Sequence, residues 1–283
     1  MSTIRSGALP FAAFAFIVYA FLLLPLGVIV LFSFNNAATA IWPVAGFSAQ
    51  WYRQMVRDQA LIQSVLDSLT TATIATILSV ILGTMGALAL SRHRFRGKGA
   101  VSMALLIPII MPGLVTGIAL LSYFQLAHVP RESLILLGPS QTAVIPTQGT
   151  YFLKILATVI LGHMVFMIPF VIVILMARLQ DFDISVEEAA QDLGATALKT
   201  FLTVTLPIIR PALIGAALIV FALSFDEFII TFFVIGSDST LPLKIWSMMR
   251  TGIAPSINAV ASVVILLSLS LILIGFRFSR PTD

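Results

Sequence analysis

Cysteine is absent from this sequence, which excludes disulfides and thiolate metal sites. Histidine occurs only at His93, His128 and His163, too sparsely for a histidine-rich metal centre, so neither a metal nor a cofactor is expected. Charge is scarce as well. Only 10% of the residues are charged, whereas soluble domains carry about a quarter. There is no Gly-x-x-x-x-Gly-Lys-Ser/Thr phosphate loop, so the chain by itself is not expected to hydrolyse a nucleoside triphosphate. No repeat of fixed period and no low-complexity tract is evident.

What is abundant is apolar: 59% of the 283 residues are hydrophobic. That composition belongs to an integral membrane protein, and one transmembrane domain over 1–283 accounts for it. The first apolar run, 11–34, holds 24 residues without a charge, enough for about 30 Å of hydrocarbon. Arg5, this run and Ala38-Thr39-Ala40 imitate a cleavable signal peptide. Signal cores run about 7–15 residues, so a retained helix is expected. Further spans are expected over about 62–90, 101–124, 152–176, 213–235 and 258–276. Together they make an all-α integral membrane fold of six transmembrane helices. The second span is rich in Ser, Thr, Ala and Gly, which lets helices approach closely in lipid; Asp67, near its outer end, is read as interfacial and not functional. The third contains Pro108, Pro112, Gly113 and Gly117, the marks of a kinked or opened helix. The polar and aromatic stretch 35–60, with Trp42, Trp51 and Tyr52, suits an outer interface with a short surface helix. Residues 127–151 and 236–257 form the other outer loops.

Six spans put both termini on one side. With that side cytosolic, the inner loops hold ten Lys/Arg (Arg5, Arg92, Arg94, Arg96, Lys98, Arg178, Lys199, Arg210, Arg277 and Arg280). The outer ones hold six (Arg53, Arg57, Arg131, Lys154, Lys244 and Arg250). The bias has the sign of the positive-inside rule. The net charge of +4 is therefore read as membrane anchoring, Arg92-His93-Arg94-Phe95-Arg96-Gly97-Lys98 above all, and no nucleic acid is expected.

The longest polar interval, 178–210, then faces the cytosol. Ser185 followed by Glu188 has the capping-box spacing. Asp183, Glu187 and Glu188 put negative charge where a helix start favours it. Ala189, Ala190 and Leu193 favour helix, and Gly194 allows a C-terminal cap. A second helical stretch is expected over about 196–204, with Leu198, Phe201, Leu202 and Thr205 on one face and Pro207 and Pro211 punctuating the entry to the next span. The pattern Glu188-Ala189-Ala190-Gln191-Asp192-Leu193-Gly194-Ala195, then Leu206-Pro207, between two spans, resembles the EAA loop of permease subunits of bacterial ABC importers. The resemblance implies the six-helix type I importer permease fold, a bacterial inner-membrane location and a coupling helix that docks a cytosolic ATPase through Glu187, Glu188, Ala189, Ala190, Asp192, Gly194, Leu206 and Pro207. It further implies a second related permease, two ATPase copies and a periplasmic solute-binding protein as partners.

Asp226 and Glu227 lie within the fifth apolar run, about 20 Å from its cytosolic end at about 1.5 Å per residue. Carboxylates at that depth cost several kcal/mol unless they face water or a partner. Adjacent residues on a helix point about 100° apart, so at least one should face a cavity or a neighbouring subunit. They are read as a cation-attracting part of a solute pathway, with a structural cap or an ion pair to an outer arginine as the other reading. The surrounding Ser224-Phe225-Asp226-Glu227-Phe228, Leu241-Pro242-Leu243-Lys244-Ile245-Trp246 and Pro255-Ser256-Ile257-Asn258-Ala259 resemble the second permease of the spermidine/putrescine branch. That implies a polyamine or related amine-bearing solute and a pathway near Phe225, Asp226, Glu227 and Phe228. The stretch 134–148 departs from that branch in length, which leaves the exact solute open. Two other classes exist. An ion-coupled secondary transporter would use Asp226, Glu227 and His163 as relays, but six spans without a repeat fit those folds poorly. An intramembrane enzyme would need a nucleophile–base set, and none is apparent.

Overall fold

A computed structural model describes residues 4–37, 44, 46–129, 134–137, 153–251 and 255–278. The Ala38-Thr39-Ala40 site, Trp42, Arg131, Arg280 and most of the loop 127–151 lie outside the described residues. The helices are α1 Ile4–Ser33, α2 Gln50–Arg57, α3 Gln59–Arg92, α4 Lys98–Ile110, α5 Gly113–Leu126, α6 Ala157–Gln180, α7 Ser185–Asp192, α8 Ala197–Thr200, α9 Leu206–Phe225, α10 Ile229–Val234, α11 Leu241–Thr251 and α12 Pro255–Phe278. Among the described residues, four helices are long and apolar enough to cross a membrane, and α4 with α5 forms a bent fifth. A further apolar helix covers Ser256–Leu267.

Contacts divide the chain into two units, 1–62 with 244–273 and 63–243 with 274–283. In the first, α1 buries no residue from Ala12 to Phe32, as befits a helix whose neighbours are lipid or other chains. Its end is tied locally: Trp51 Nε1 donates to the Asn35 carbonyl at 2.7 Å, and the Ser33 and Tyr52 hydroxyls lie 2.7 Å apart.

The second unit is built around α6. Val159, Met167, Val171 and Leu175 on this helix are fully buried, because helices cross it on several sides. Glycine sets how close they come. A Cβ on Gly83 of α3 would lie 2.6 Å from Val171, and one on Gly86 2.8 Å from Ile172. A Cβ on Gly117 of α5 would lie 2.6 Å from Phe233, and one on Gly162 3.1 Å from Ile230. Removing the side chain is what allows such backbone approach where no hydrophobic effect drives helices together. Asp67 is buried, with the Gln63 amide donating to it at 2.8 Å.

Two expected spans are corrected, while the third, expected to be kinked or opened, is two helices bent by 104°. Met111 precedes Pro112 and is extended at ψ 137°, the conformation that the proline ring imposes on the residue before it. The fourth begins at Ala157, because Leu153–Ile155 pairs antiparallel with Leu134–Leu137 as a two-stranded ribbon. The ribbon is also a departure from an all-helical chain. The helix that carries the fifth starts far earlier than Leu213: it runs without a stop from Ala197 to Phe225, 29 residues. Pro207 and Pro211 therefore sit inside a continuous helix instead of marking its entry. A π-helical turn over Phe201–Thr205 makes this possible, with the Leu206 N–H reaching back to the Phe201 carbonyl. Proline cannot donate to the preceding turn and crowds its carbonyls; a widened turn gives that ring room. The same span ends at Phe225, not at 235, and resumes as α10.

Candidate functional site

Two places carry the candidate residues, and both belong to the second unit. At the first, α7 stands on the end of α6 after the bend Asp181–Ile184. Its start departs from the capping box. Ser185 is already helical, and no side chain caps at Ile184. Asp183, two residues ahead, accepts the Ser185 N–H at 3.0 Å instead, a turn that aspartate forms readily. Hydrogen bonds from the Ser185 side chain and then its N–H hold the Asp183 carboxyl below its ordinary value. The far end closes as a Schellman motif. The Ala195 N–H bonds the Ala190 carbonyl at 3.0 Å and the Gly194 N–H bonds the Gln191 carbonyl at 2.8 Å. Gly194 takes φ +85°, where glycine alone carries no steric penalty.

Within α7 the adjacent glutamates have opposite fates. Glu188 is exposed; Glu187 is buried at 4%. The Glu187 carboxylate accepts from the Arg92 guanidinium, at the end of α3, and from the Thr205 hydroxyl, in the π-turn below α9. Arg92 also lies 5.9 Å from the Phe182 ring. One buried side chain thus ties α7 to the C-terminal end of α3 and to the turn that leads into α9. Glu187, expected among the docking residues, is buried underneath the loop rather than on its exposed surface. Among the other candidates, Glu188, Ala189, Asp192, Gly194 and Pro207 are exposed, while Ala190 and Leu206 are half-buried.

The outward surface is apolar to an unusual degree for a polar loop. Leu193 is 89% exposed and Leu198 67%. Ile184, Val186 and Leu202 are exposed too. Exposed apolar clusters of this kind mark interaction sites. Sequence reasoning placed Leu198 and Leu202 on one face but passed over Ile184 and Val186. It also read Arg92 as an anchor only, because its partner is 95 residues away.

At the second place, the helix that should carry Asp226 and Glu227 stops. Asp226 is the C-cap of α9 and is exposed; its N–H bonds the Ala222 carbonyl at 3.2 Å. Glu227 is outside regular helix and half-buried, and its Oε1 accepts the Ile230 N–H at 2.9 Å. The expected helical pair 100° apart is therefore corrected: Glu227 is a cap for α10, and Asp226 alone is turned outward. No ion pair to an arginine is formed by either among the described residues. Phe225 and Phe228 flank the turn, half-buried; Phe225 stacks on Phe221 at 6.2 Å, and Phe228 lies tilted against Phe232 at 5.9 Å. His163 is buried at 1% with a hydroxyl against each ring nitrogen, so neither nitrogen bonds a carboxylate. Among the described residues no cluster of His, Asp or Glu is arranged to hold a metal ion.

Residues 75–281 match the family described as "Binding-protein-dependent transport system inner membrane component". The chain is similar to the spermidine/putrescine transport system permease protein PotC of Haemophilus influenzae, 35% identical over 273 residues that cover 96% of each chain. It is also similar to the putrescine transport system permease protein PotI of Escherichia coli, 38% identical over 252 residues, 87% of this chain and 82% of that one. Among solved structures it resembles a bacterial ABC transporter involved in the import of the acidic polysaccharide alginate, with a TM-score of 0.69 at 15% identity, covering 99% of this chain and 97% of that chain. The inward-facing MetNI methionine ABC transporter follows at a TM-score of 0.58 and 16% identity, covering 78% and 95%. At such identities the structural likeness speaks for the fold alone.

Proposed function

The chain belongs to the binding-protein-dependent transport system inner membrane component family, and on that premise we propose that it is one of two permeases of an ATP-driven importer for a polyamine or related small amine-bearing cation. As a multi-pass inner-membrane permease subunit it is a transport component and not an enzyme. Its relatives are transport permeases, which favours this reading over an ion-coupled carrier built on Asp226, Glu227 and His163. The proposed partners are a second, related permease, two copies of a cytosolic ATPase and a periplasmic solute-binding protein. The proposed topology has six spans and cytosolic termini, supported by the ten-to-six distribution of Lys and Arg.

The observation that carries the reading is α7, a short helix held rigidly from below by Glu187 and presenting apolar and acidic side chains outward. ATP-driven closure of a docked ATPase dimer would move α7 as a body, with Glu188, Ala189, Ala190, Asp192, Gly194, Leu206 and Pro207 at or beside the contact. The Arg92–Glu187–Thr205 bonds would pass the motion to α3 and α9 together. The preference for a cation rests on Asp226. It sits at the C-terminal end of α9, where aligned peptide dipoles already amount to about half a negative charge. A carboxylate there is repelled by its own helix and is best balanced by a cation. The relatives' names give the amine class; the fold does not, since a structural neighbour imports an acidic polysaccharide.

The test is purification of this chain in mild detergent from its native host, with the co-purifying subunits identified. Stoichiometric recovery of an ATPase and a second permease is the expected result. A stable, intact chain recovered alone would refute the importer assembly.

A further inference from the structure

The break between α9 and α10 is bridged by one side chain from a third helix. His163 of α6 places Nδ1 2.7 Å from the Ser224 hydroxyl, in the last turn of α9, and Nε2 2.8 Å from the Thr231 hydroxyl, in the first turn of α10. The directions of these bonds follow from proton counting. Thr231 donates its one hydroxyl proton to the Glu227 carbonyl at 2.8 Å. Toward the ring it can only accept, so Nε2 carries the hydrogen. A neutral imidazole has one donor and one acceptor, so Nδ1 accepts from Ser224. The bonds form a directed chain from Ser224 through His163 and Thr231 to the Glu227 carbonyl. It starts on α9, crosses to α6 and ends inside the turn.

The turn has a second closure, the Glu227 carboxylate on the Ile230 N–H at 2.9 Å. That one is local to the turn and α10. It says nothing about how α9 stands to them. Further out, α10 is bound to α6 by the Thr158 hydroxyl on the Val234 carbonyl at 2.8 Å and by Ile230 against Gly162. Two bonds link this block to the end of α9: the Glu227 N–H on the Ser224 carbonyl at 3.4 Å, and the imidazole, which is the side-chain link and the one that also engages α6. Satisfied polar networks in a low-dielectric interior hold one geometry, and a network with a missing member does not.

We propose that His163 is a positioning residue for the solute pathway: it sets the end of α9 against α10 and so aims the outward Asp226, without touching the solute. The proposal rests on the reading that this turn borders the pathway.

Because this chain has no cysteine, two introduced cysteines are the labelling sites once any cysteines of the partner subunits have been replaced. Ala222→Cys and Ser237→Cys replace exposed small residues on either side of the break. In the whole importer in lipid nanodiscs, electron paramagnetic resonance then reads the distance distribution between them. His163→Leu is expected to broaden that distribution, and His163→Gln, which keeps a donor and an acceptor, to leave it close to native. In proteoliposomes without labels, His163→Leu is expected to raise the half-saturating concentration of spermidine-loaded binding protein roughly three- to tenfold, the range of one ordinary hydrogen bond. Maximal uptake per assembled complex should stay near native. Ser224→Ala in the His163→Leu background should add nothing, since both changes cut the same Ser224–His163 bond. A native distance distribution in His163→Leu would overturn the proposal. So would a fall in maximal uptake with half-saturation unchanged, which is what a residue needed only for packing would give. Failure of the native complex to take up spermidine or putrescine would instead refute the solute reading, and the distance measurement would still decide the role of His163.

Discussion

Replacing Arg92 by alanine should damage coupling more than replacing its partner Glu187, and the double variant should be less damaged than Arg92→Ala alone. The reason is unequal burial. The Glu187 side chain is 5% exposed and that of Arg92 30%. Arg92→Ala leaves a carboxylate in the protein with the Thr205 hydroxyl as its remaining donor. Breaking a fully buried pair costs about 3–5 kcal/mol; with one partner partly in water, about 2 kcal/mol is the reasonable figure. That shifts the balance between seated and unseated α7 about thirtyfold. Glu187→Ala leaves a guanidinium that can turn to water or rest on Phe182, at about 1 kcal/mol. Removing both charges eliminates the stranded carboxylate, so the double variant should match Glu187→Ala. The assay is spermidine uptake and ATP hydrolysis in the reconstituted complex, read as ATP consumed per solute. The ratio should rise most for Arg92→Ala. A double variant worse than Arg92→Ala would refute the argument, because it would mean that the two residues act separately.

At the docking surface, Glu188→Arg or Gly194→Trp should abolish uptake while the chain still inserts and binds the second permease; normal uptake in either, measured in cells, would remove α7 from the docking contact. At the break, Asp226→Asn should slow uptake of amines without loss of assembly. Glu227→Gln, which still accepts the Ile230 N–H through its amide oxygen, should be milder, and a reversed order in uptake assays would contradict the assignment of Glu227 as a cap. In the core, Gly83→Val would drive side-chain atoms into Val171, where even a Cβ lies at 2.6 Å. A loss of about 1–3 kcal/mol should show as a lower unfolding temperature in detergent, and no change would mean that α3 and α6 are further apart than described.

What the sequence by itself determined is the part governed by length, composition and neighbours a few residues apart. Uncharged runs of some twenty residues made the spans, Pro112 marked the bend between α4 and α5, and Gly194 marked the C-terminal cap of α7. The loop pattern Glu188-Ala189-Ala190 to Leu206-Pro207 was legible because it is local and unusual between two spans. Tertiary structure decided the rest. Nothing near Glu187 distinguishes it from Glu188; it turns inward because Arg92, 95 residues away, and Thr205 meet there. The capping-box spacing at Ser185 lost to Asp183, whose carboxylate reaches the Ser185 N–H from outside the helix. The stop of α9 at Phe225 has no proline or glycine to announce it. It is held by the Glu227 cap and by a histidine 61 residues from Ser224. Helical periodicity records only which neighbours share a face, within about four residues. A bond between side chains far apart in the chain exists only once packing has brought their helices together. In this protein that packing decides which carboxylate supports α7 and which faces outward from the break.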